Sequence, residues 1–360
     1  MDSGSLWSGW RLTPHVAWYQ GGRYTHWTDA HDWPNTQIGP SKVSYPLKKG
    51  YTAADIPKQQ YSTHPSGLAV VTAPFLYAFR KSPYLESAAA LLSGIVTIVG
   101  MLFFRLLIRP LVASESQAAW CTAITYLGTP LWHYGRTFFS EPYIATCFIG
   151  AYALSLRKSW HFTSGVLIGI ATLIKPPALL LILPLLVVLF HKREYAAMLK
   201  TSIPCAVSAG MVLLLNHLLF GAWHHSPQPF VVGSPFAGLF TLTLSVNHGL
   251  IWFAPLTVGL CWSIRRIPLE CWPCLAGAAI YIALMCLWHV PKGGYCYGPR
   301  LIVPVVPLMI SIPALTNNRL ICTVAIAVSL IGAAPYWTCM EKNPLFVAMG
   351  WVVHSLGITG

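Results

Sequence analysis

The stretch that decides the fold is ESAAALLSGIVTIVGMLFFRLLI at residues 86–108, which has one acid at its start and one arginine near its end. An α-helix rises about 1.5 Å per residue and the hydrocarbon core of a bilayer is about 30 Å thick, so a run of this length can cross a membrane. The whole chain has this character, since 55% of its 360 residues are hydrophobic and only 9% are charged. Soluble domains carry about 25% charged residues. The sequence therefore predicts an integral membrane protein.

Further apolar runs surround this one at short intervals. They predict an all-α, polytopic transmembrane helical bundle of about ten spans, and several runs are shorter than the usual ~20 residues. The run at residues 67–79 is too short to span, so it predicts an interfacial or re-entrant helix, or half of a longer one. The predicted spans lie near residues 86–108, 115–133, 142–156, 161–175, 177–191, 197–220, 249–264, 272–290, 300–316 and 320–338.

The domain organisation follows from these runs. We expect an outer-face loop region with a short interfacial helix at residues 1–85, a transmembrane helical domain at 86–340 and a short apolar tail at 341–360. Residues 1–66 are polar, and nothing in them would carry them across the membrane. We therefore expect the natural polypeptide to begin with another span that this sequence lacks.

Basic residues set the orientation, because cytoplasmic loops are enriched in lysine and arginine. The net charge of +13 comes largely from short loops between apolar runs, so we reject nucleic acid as a partner and expect contact with membrane lipids or a lipid phosphate. The other loops face outward and hold most of the remaining polar residues. Every second loop is basic, so these loops are predicted to be cytoplasmic. Their basic residues are Arg105 and Arg109, Arg157 and Lys158, Lys192 and Arg193, Arg265 and Arg266, and Arg319.

Outward carboxylates are the first candidates for chemistry. Glu141 is the only acid between Glu115 and Glu194, and it stands among aromatic residues where one span ends and the next begins. A desolvated acid in this setting is a functional candidate, and the alternative is an acid that complements a helix dipole. Asp29 and Asp32 lie in TDAHDW, close to histidines. Binding of a divalent metal by these residues stays an alternative, although their spacing matches no specific metal-ligand signature.

Outward cations are the second group of candidates. Arg300 ends YGPR and opens a span, where a guanidinium opposes the helix dipole and needs an anion. Arginine is a natural phosphate ligand, and Lys292 could add charge; snorkelling is the alternative. Lys175 and Arg136 also lie in outward turns. His64 and His248 are outward and singly unspecific, more typical of interfacial hydrogen-bonding residues than of catalysts.

Several of these segments resemble one known superfamily, the GT-C polyprenyl-phosphate-dependent glycosyltransferases, which include protein O-mannosyltransferases and aminoarabinose lipid A transferases. The resemblance runs in the same order from residue 61 to about residue 310. The segments that carry it are YSTHPSGLAVVTAPF, GTPLWHYGRTFFSEPY, LIKPPALLLILP, SVNHGLIWFAP and WHVPKGGYCYGPRLIVPVVPLM.

The resemblance implies a multi-pass protein of the bacterial inner membrane whose active site faces the periplasm. It would transfer a sugar from a polyprenyl-phosphate donor to a glycan, lipid or protein acceptor, with inversion at the anomeric carbon, as is usual in that superfamily. No cofactor or metal is required, because the cationic side chains of the protein can stabilise the negative charge of the donor phosphate. The implied catalytic residues are Asp29, Asp32 and Glu141, and the implied substrate-binding residues are Arg300, Lys292, Tyr297, Lys175, Arg136, His64 and His248.

The start of the chain departs from the family pattern. Members begin with a span followed by an outer acid that is the best candidate for the catalytic base, and here that span is absent. Asp29 and Asp32 lie in the corresponding region. Two alternatives to the enzyme remain open: a transporter or flippase of a lipid-linked sugar, which should show internal repeats with broken helices, and an inactive truncated relative.

Overall fold

The protein is seen in a computed structural model that describes the central part of the chain almost continuously and its two ends only in pieces. The described residues are 16–20, 23–25, 36–38, 43–45, 60–62, 67–80, 82, 84–220, 223, 230–255, 257, 267–289, 291, 293, 297–309, 323 and 327.

Short strands form in the amino-terminal region that the sequence predicted to be loops. A small antiparallel sheet has the order β2-β1-β5, with Trp18 opposite Thr25 and Val16 opposite Ser62. A separate antiparallel pair joins β3 and β4. The strands are β1 (Val16–Gln20), β2 (Arg23–Thr25), β3 (Thr36–Ile38), β4 (Val43–Tyr45) and β5 (Gln60–Ser62).

Helices make up the rest of the described structure and confirm the prediction of a polytopic all-α bundle. By length and composition, three helical stretches of the described chain can cross a membrane: Ser87–Leu111, Tyr195–Leu218 and Leu269–Cys286. The helices are α1 (Gly67–Leu76), α2 (Leu85–Ile108), α3 (Glu115–Leu127), α4 (Leu131–Gly135), α5 (Ser140–Ser155), α6 (His161–Ile174), α7 (Ile182–His191), α8 (Tyr195–Phe220), α9 (Pro235–Thr243), α10 (Leu250–Phe253) and α11 (Trp272–Cys286).

Proline explains why some predicted spans are broken. The run at 115–133 divides into α3 and α4 around Pro130. The run at 177–191 starts as a 3₁₀ segment, Pro176–Leu181, before α7 begins. The run at 300–316 is a 3₁₀ segment over Arg300–Met309 that contains Pro304 and Pro307. Proline lacks the backbone N–H that a regular α-helix needs, so the apolar pattern alone overstates helix length.

One helix lies in a segment predicted to be a loop. Residues 221–248 lie between the predicted spans 197–220 and 249–264 and were therefore expected to form a long outward loop, yet α9 occupies Pro235–Thr243 within them. The Ser234 side chain accepts a hydrogen bond from the Ala237 N–H, and Pro235 takes the first helical position. Both are ordinary helix-start signals. The predicted span at 320–338 and the tail at 341–360 lie outside the described residues, apart from positions 323 and 327.

The centre of the bundle is α5, in which every residue from Glu141 to Leu154 is buried. It runs parallel to α2, because Ser93 Oγ lies 3.2 Å from the Tyr143 hydroxyl and Thr146 Oγ1 donates to the Val96 carbonyl at 2.9 Å. The starts of α2 and α5 therefore lie at the same end of the bundle, which we call the Glu141 end.

Two more elements reach the Glu141 end. Helix α6 is antiparallel to α5, since Ser164 near its start donates to the Ala151 carbonyl at 2.8 Å, so α6 finishes beside the start of α5. Helix α1 packs there as well, because a Cβ added at Gly67 would collide with the Leu173 carbonyl. The start of α1 therefore lies at this end. Arg105, at the far end of α2, lies at the opposite end of the bundle.

Candidate functional site

A buried ion pair forms at the Glu141 end. Arg300 Nε donates to Glu141 Oε1 at 2.7 Å, and the two side chains are 21% and 1% exposed. Ser140 Oγ also donates to Glu141 Oε2 at 3.4 Å. Charged side chains are rarely this buried without a partner of opposite charge, and each residue of the pair supplies that partner to the other. The two residues that the sequence singled out separately are therefore in direct contact.

Local structure accounts for the position of Glu141. It lies in the first turn of α5, and the N-cap residue Phe139 forms no side-chain capping bond. A helix N-terminus carries a partial positive charge, so an acid in the first turn is stabilised there. The short turn between α4 and α5 faces the segment that leads to Arg300, which brings the guanidinium to the acid.

The Arg300 guanidinium rests on an aromatic ring. Its Cζ lies 4.5 Å from the centroid of Phe139, a cation–π distance. Its Nη1 also lies 3.5 Å from the Gly293 carbonyl oxygen. Gly293 and Gly298 have φ of 75° and 63°, a left-handed region that glycine enters without steric cost. These turns let the backbone bring Arg300 over the Phe139 ring.

Tyr297 is buried in the segment that leads to Arg300. Its ring is 2% exposed and packs against His133, at 4.7 Å between centroids, and Phe253, at 5.1 Å. The Tyr297 carbonyl accepts a hydrogen bond of 2.7 Å from the Tyr134 hydroxyl. Its ring therefore packs inside the protein and supports the segment, and the predicted substrate contact of Tyr297 stays a prediction.

Lys175 is a second cation at the Glu141 end. It follows the last residue of α6 directly, in extended backbone before the 3₁₀ segment Pro176–Leu181. Its Nζ lies 5.9 Å from the centroid of the Tyr281 ring. The predicted cation therefore lies at the same end of the bundle as the ion pair and contacts a ring of α11.

Arg136 is a third cation and lies in the turn between α4 and α5. Its Cζ is 4.4 Å from the centroid of the Trp132 ring. Loss of water around the guanidinium lowers the pKa of Arg136 from its ordinary value, but an arginine stays charged at physiological pH. Together with Lys175 and Arg300, it gives the described part of this end an excess of positive charge over Glu141.

The remaining predicted site residues are placed only in part. His248 is 4% exposed and lies in the turn before α10, where its N–H donates to the Ser245 carbonyl. Among the described residues, no group of three or more His, Cys, Asp or Glu side chains could hold a metal ion. Asp29, Asp32, His64 and Lys292 lie outside the described residues.

Two residues contribute to the site beyond those predicted. The Phe139 ring makes a cation–π contact with the Arg300 guanidinium. The Tyr134 hydroxyl donates a hydrogen bond to the Tyr297 carbonyl, in the segment before Arg300. The sequence showed both as aromatic neighbours of Glu141 in YGRTFFSEP but gave them no role. The partners of these rings come from a distant part of the chain, so spacing within the motif could not reveal them.

Comparison with known proteins adds one structural relative. No protein-family model matches the chain, and no curated protein matches its sequence. The structure is similar to the crystal structure of ArnT from Cupriavidus metallidurans bound to undecaprenyl phosphate, with 19% sequence identity and a TM-score of 0.52. The similarity covers 82% of this chain and 60% of that one. The chain therefore has the polytopic helical fold of that protein and spans about 60% of its length.

Proposed function

We propose that this protein is a membrane glycosyltransferase that moves a sugar from a polyprenyl-phosphate donor to an acceptor on the periplasmic side of the bacterial inner membrane. The observation that carries the proposal is the Glu141–Arg300 ion pair, buried at one end of a GT-C-type bundle. A structural relative with this fold binds undecaprenyl phosphate, which supports the same class of lipid as the donor here.

The donor phosphate binds at Arg300. A guanidinium has N–H donors on Nε and on both terminal nitrogens, and the bond to Glu141 uses Nε. Nη1 also donates to the Gly293 carbonyl at 3.5 Å. Each terminal nitrogen carries two N–H groups, so a phosphate would share the guanidinium with Glu141 and Gly293 by binding at these nitrogens. Lys175 and Arg136 add positive charge at the same end, so a phosphate meets a net attraction even though Arg300 already has an anionic partner. Lys292 and His64 complete the proposed donor site from outside the described residues.

Glu141 holds Arg300 in place for this task. Its carboxylate is 1% exposed, so the acid orients the guanidinium rather than meeting an acceptor directly in this arrangement. A fixed guanidinium costs less conformational entropy on phosphate binding than a mobile one. Glu141 therefore contributes to catalysis by preorganising the cation that receives the donor phosphate.

The reaction is a one-step displacement with inversion. An acceptor hydroxyl oxygen attacks the anomeric carbon of the sugar while the bond from that carbon to the phosphate oxygen breaks. The hydroxyl proton passes to Asp29 or Asp32, the candidate general bases, and the bonding electrons leave with the polyprenyl phosphate. Arg300 stabilises the negative charge that grows on the departing phosphate.

A transfer assay tests the proposal. The purified full chain, in lipid nanodiscs, receives a polyprenyl-phosphate sugar labelled in the sugar, together with cell-envelope acceptors. We expect label to move to an acceptor and polyprenyl phosphate to be released. Arg300→Ala should lower the rate by about 10²–10³-fold, the usual loss when one group that stabilises charge in the transition state is removed.

Two results would contradict the proposal. Equal rates for the wild type and Arg300→Ala would show that Arg300 does not stabilise the donor phosphate. Movement of the intact labelled donor across proteoliposomes, with no cleavage of the sugar–phosphate bond, would identify a transporter of lipid-linked sugar. Glu115→Gln is the matched control, since it changes an acid paired with arginine at the opposite end of the bundle.

A further inference from the structure

We propose that Tyr134 is a positioning residue that sets the place of the Arg300 guanidinium, an inference that rests on the proposed function. Tyr134 is 0% exposed and lies in α4, so it does not itself meet a substrate in this arrangement. It touches both structures on which Arg300 depends: the backbone that leads to it and the ring beneath it.

The first contact fixes the backbone. The Tyr134 hydroxyl donates to the Tyr297 carbonyl at 2.7 Å across 163 positions of sequence. That carbonyl belongs to the residue just before Gly298, whose φ of 63° turns the chain toward Arg300. A glycine in this region has wide conformational freedom, so a buried hydrogen bond next to it determines which path the segment takes.

The second contact fixes the ring. Tyr134 meets Phe139 edge to face, with centroids 5.5 Å apart and planes at 89°. Phe139 also contacts the Arg300 guanidinium, whose Cζ lies 4.5 Å from the ring centroid. A shift of the Tyr134 ring would therefore move the surface on which the guanidinium rests. Both paths lead from one side chain of α4 to the same cation.

The segment around Tyr297 has little space in which to settle differently. A Cβ added at Gly298 would lie 2.9 Å from the Phe253 ring, and the Tyr297 ring is held between His133 and Phe253. The Tyr134 hydroxyl adds to this packing a hydrogen bond to a peptide group of the same segment, so the bond opposes a rotation of that peptide group.

A simpler role for Tyr134 would be stability alone, and Tyr152 supplies the comparison. Its hydroxyl donates to the Leu181 carbonyl at 2.9 Å, and its side chain is 1% exposed. Tyr152→Phe thus removes the same kind of buried bond, worth about 0.5–1.5 kcal/mol, away from the ion pair. Any effect that Tyr134→Phe has beyond that of Tyr152→Phe reflects position and not fold stability.

The experiment is a double-mutant cycle on lipid binding. Undecaprenyl phosphate is titrated by fluorescence into the full chain in detergent, with wild type, Tyr134→Phe, Tyr152→Phe, Arg300→Ala and the double variant Tyr134→Phe/Arg300→Ala. We expect Tyr134→Phe to raise Kd about tenfold, or about 1.4 kcal/mol, and Tyr152→Phe to leave Kd unchanged. In the Arg300→Ala background, Tyr134→Phe should add nothing, because the cation through which it acts is gone.

The outcomes separate this inference from the proposed function. Wild-type binding that falls in Arg300→Ala but is unchanged in Tyr134→Phe would overturn the inference and leave the function standing. Losses that add in the double variant would also overturn it. Absence of binding by the wild type would overturn both. If Tyr134→Phe does not fold, Phe139→Leu tests the same path, with a raised Kd expected and an unchanged Kd contradicting it.

Discussion

Two carboxylates in this bundle are paired with arginine, and they differ in their access to water. Glu115 contacts Arg105, at 2.6 Å, and Arg109, and its side chain is 56% exposed. Glu141 contacts Arg300 at 2.7 Å and is 1% exposed. The bonds are alike, but water screens the first cluster and not the second. An exposed pair contributes about 0–1 kcal/mol, whereas removing one partner of a buried pair costs about 3–5 kcal/mol.

The difference separates an ion pair in an exposed loop from the buried pair for which we propose a ligand. The Glu115 cluster joins the end of α2 to the start of α3 at the face that the positive-inside rule assigns to the cytoplasm. There the exposed ion pairs hold the two helix ends of a short loop together. The Glu141 pair costs free energy to desolvate, and a buried ion pair is often no more stabilising than an apolar contact of similar volume. This supports the function that we propose for it.

Glu141→Gln is expected to have the largest effect on stability. The amide keeps the size of the side chain but leaves the Arg300 charge without its anion, so stability should fall by about 3 kcal/mol. Transfer activity should fall about 100-fold, because the guanidinium is no longer held. Thermal unfolding in detergent and the transfer assay measure the two losses. An unchanged melting temperature together with full activity would contradict the role of the pair.

Arg300→Lys sharpens the comparison by keeping the charge. Lysine lacks the planar fork with which arginine binds a carboxylate and a phosphate together. We expect the variant to bind undecaprenyl phosphate about tenfold more weakly than the wild type and more tightly than Arg300→Ala. Lipid titration checks the order. Identical behaviour of the lysine and alanine variants would mean that geometry, and not charge, decides binding.

Lys175→Gln should have an intermediate effect. Lys175 lies next to Tyr281 and not in the ion pair, so it adds attraction without holding Arg300. We expect Kd for undecaprenyl phosphate to rise about three- to tenfold and the melting temperature to stay within about 2 °C of the wild type. Lys200→Gln, an exposed lysine of α8, is the control. Equal effects of the two variants would reduce Lys175 to a general surface charge.

The smallest effect is expected from Glu115→Gln. Its pairs are exposed at the opposite end of the bundle, so the change in stability should stay within about 1 kcal/mol and should shrink as salt is added. Transfer activity should be unchanged. A large loss of activity in this variant would break the contrast between the two carboxylates.

The sequence predicted the membrane fold well because hydrophobic runs are local. The run at 86–108 became α2 with nearly the same bounds. Predictions failed where a local signal competed with that pattern, as at Pro304 and Pro307, which turn an apolar run into a 3₁₀ segment. The helix at Pro235–Thr243 was not predicted, because the segment lies between two apolar runs and was therefore assigned to a loop. The helix-start signal of Ser234 and Pro235 was the local evidence against that assignment.

The site was predictable in its residues but not in its contacts. Glu141 and Arg300 were each selected for a local reason, an acid in an aromatic turn and a cation at the start of a span. Their bond joins positions 159 apart, and no spacing rule reaches that far. Tyr134 was passed over because its partner is a backbone carbonyl, which leaves no trace in the residue type. The roles of Asp29 and Asp32 stay predictions.

The central claim is that a polyprenyl phosphate binds at the arginine held by Glu141. Native mass spectrometry of the full chain with undecaprenyl phosphate tests it most directly, because bound lipid is counted on each variant in the same spectrum. The account predicts a one-to-one adduct on the wild type and on Glu115→Gln, and its loss on Arg300→Ala. An adduct of equal abundance on all three proteins would contradict it.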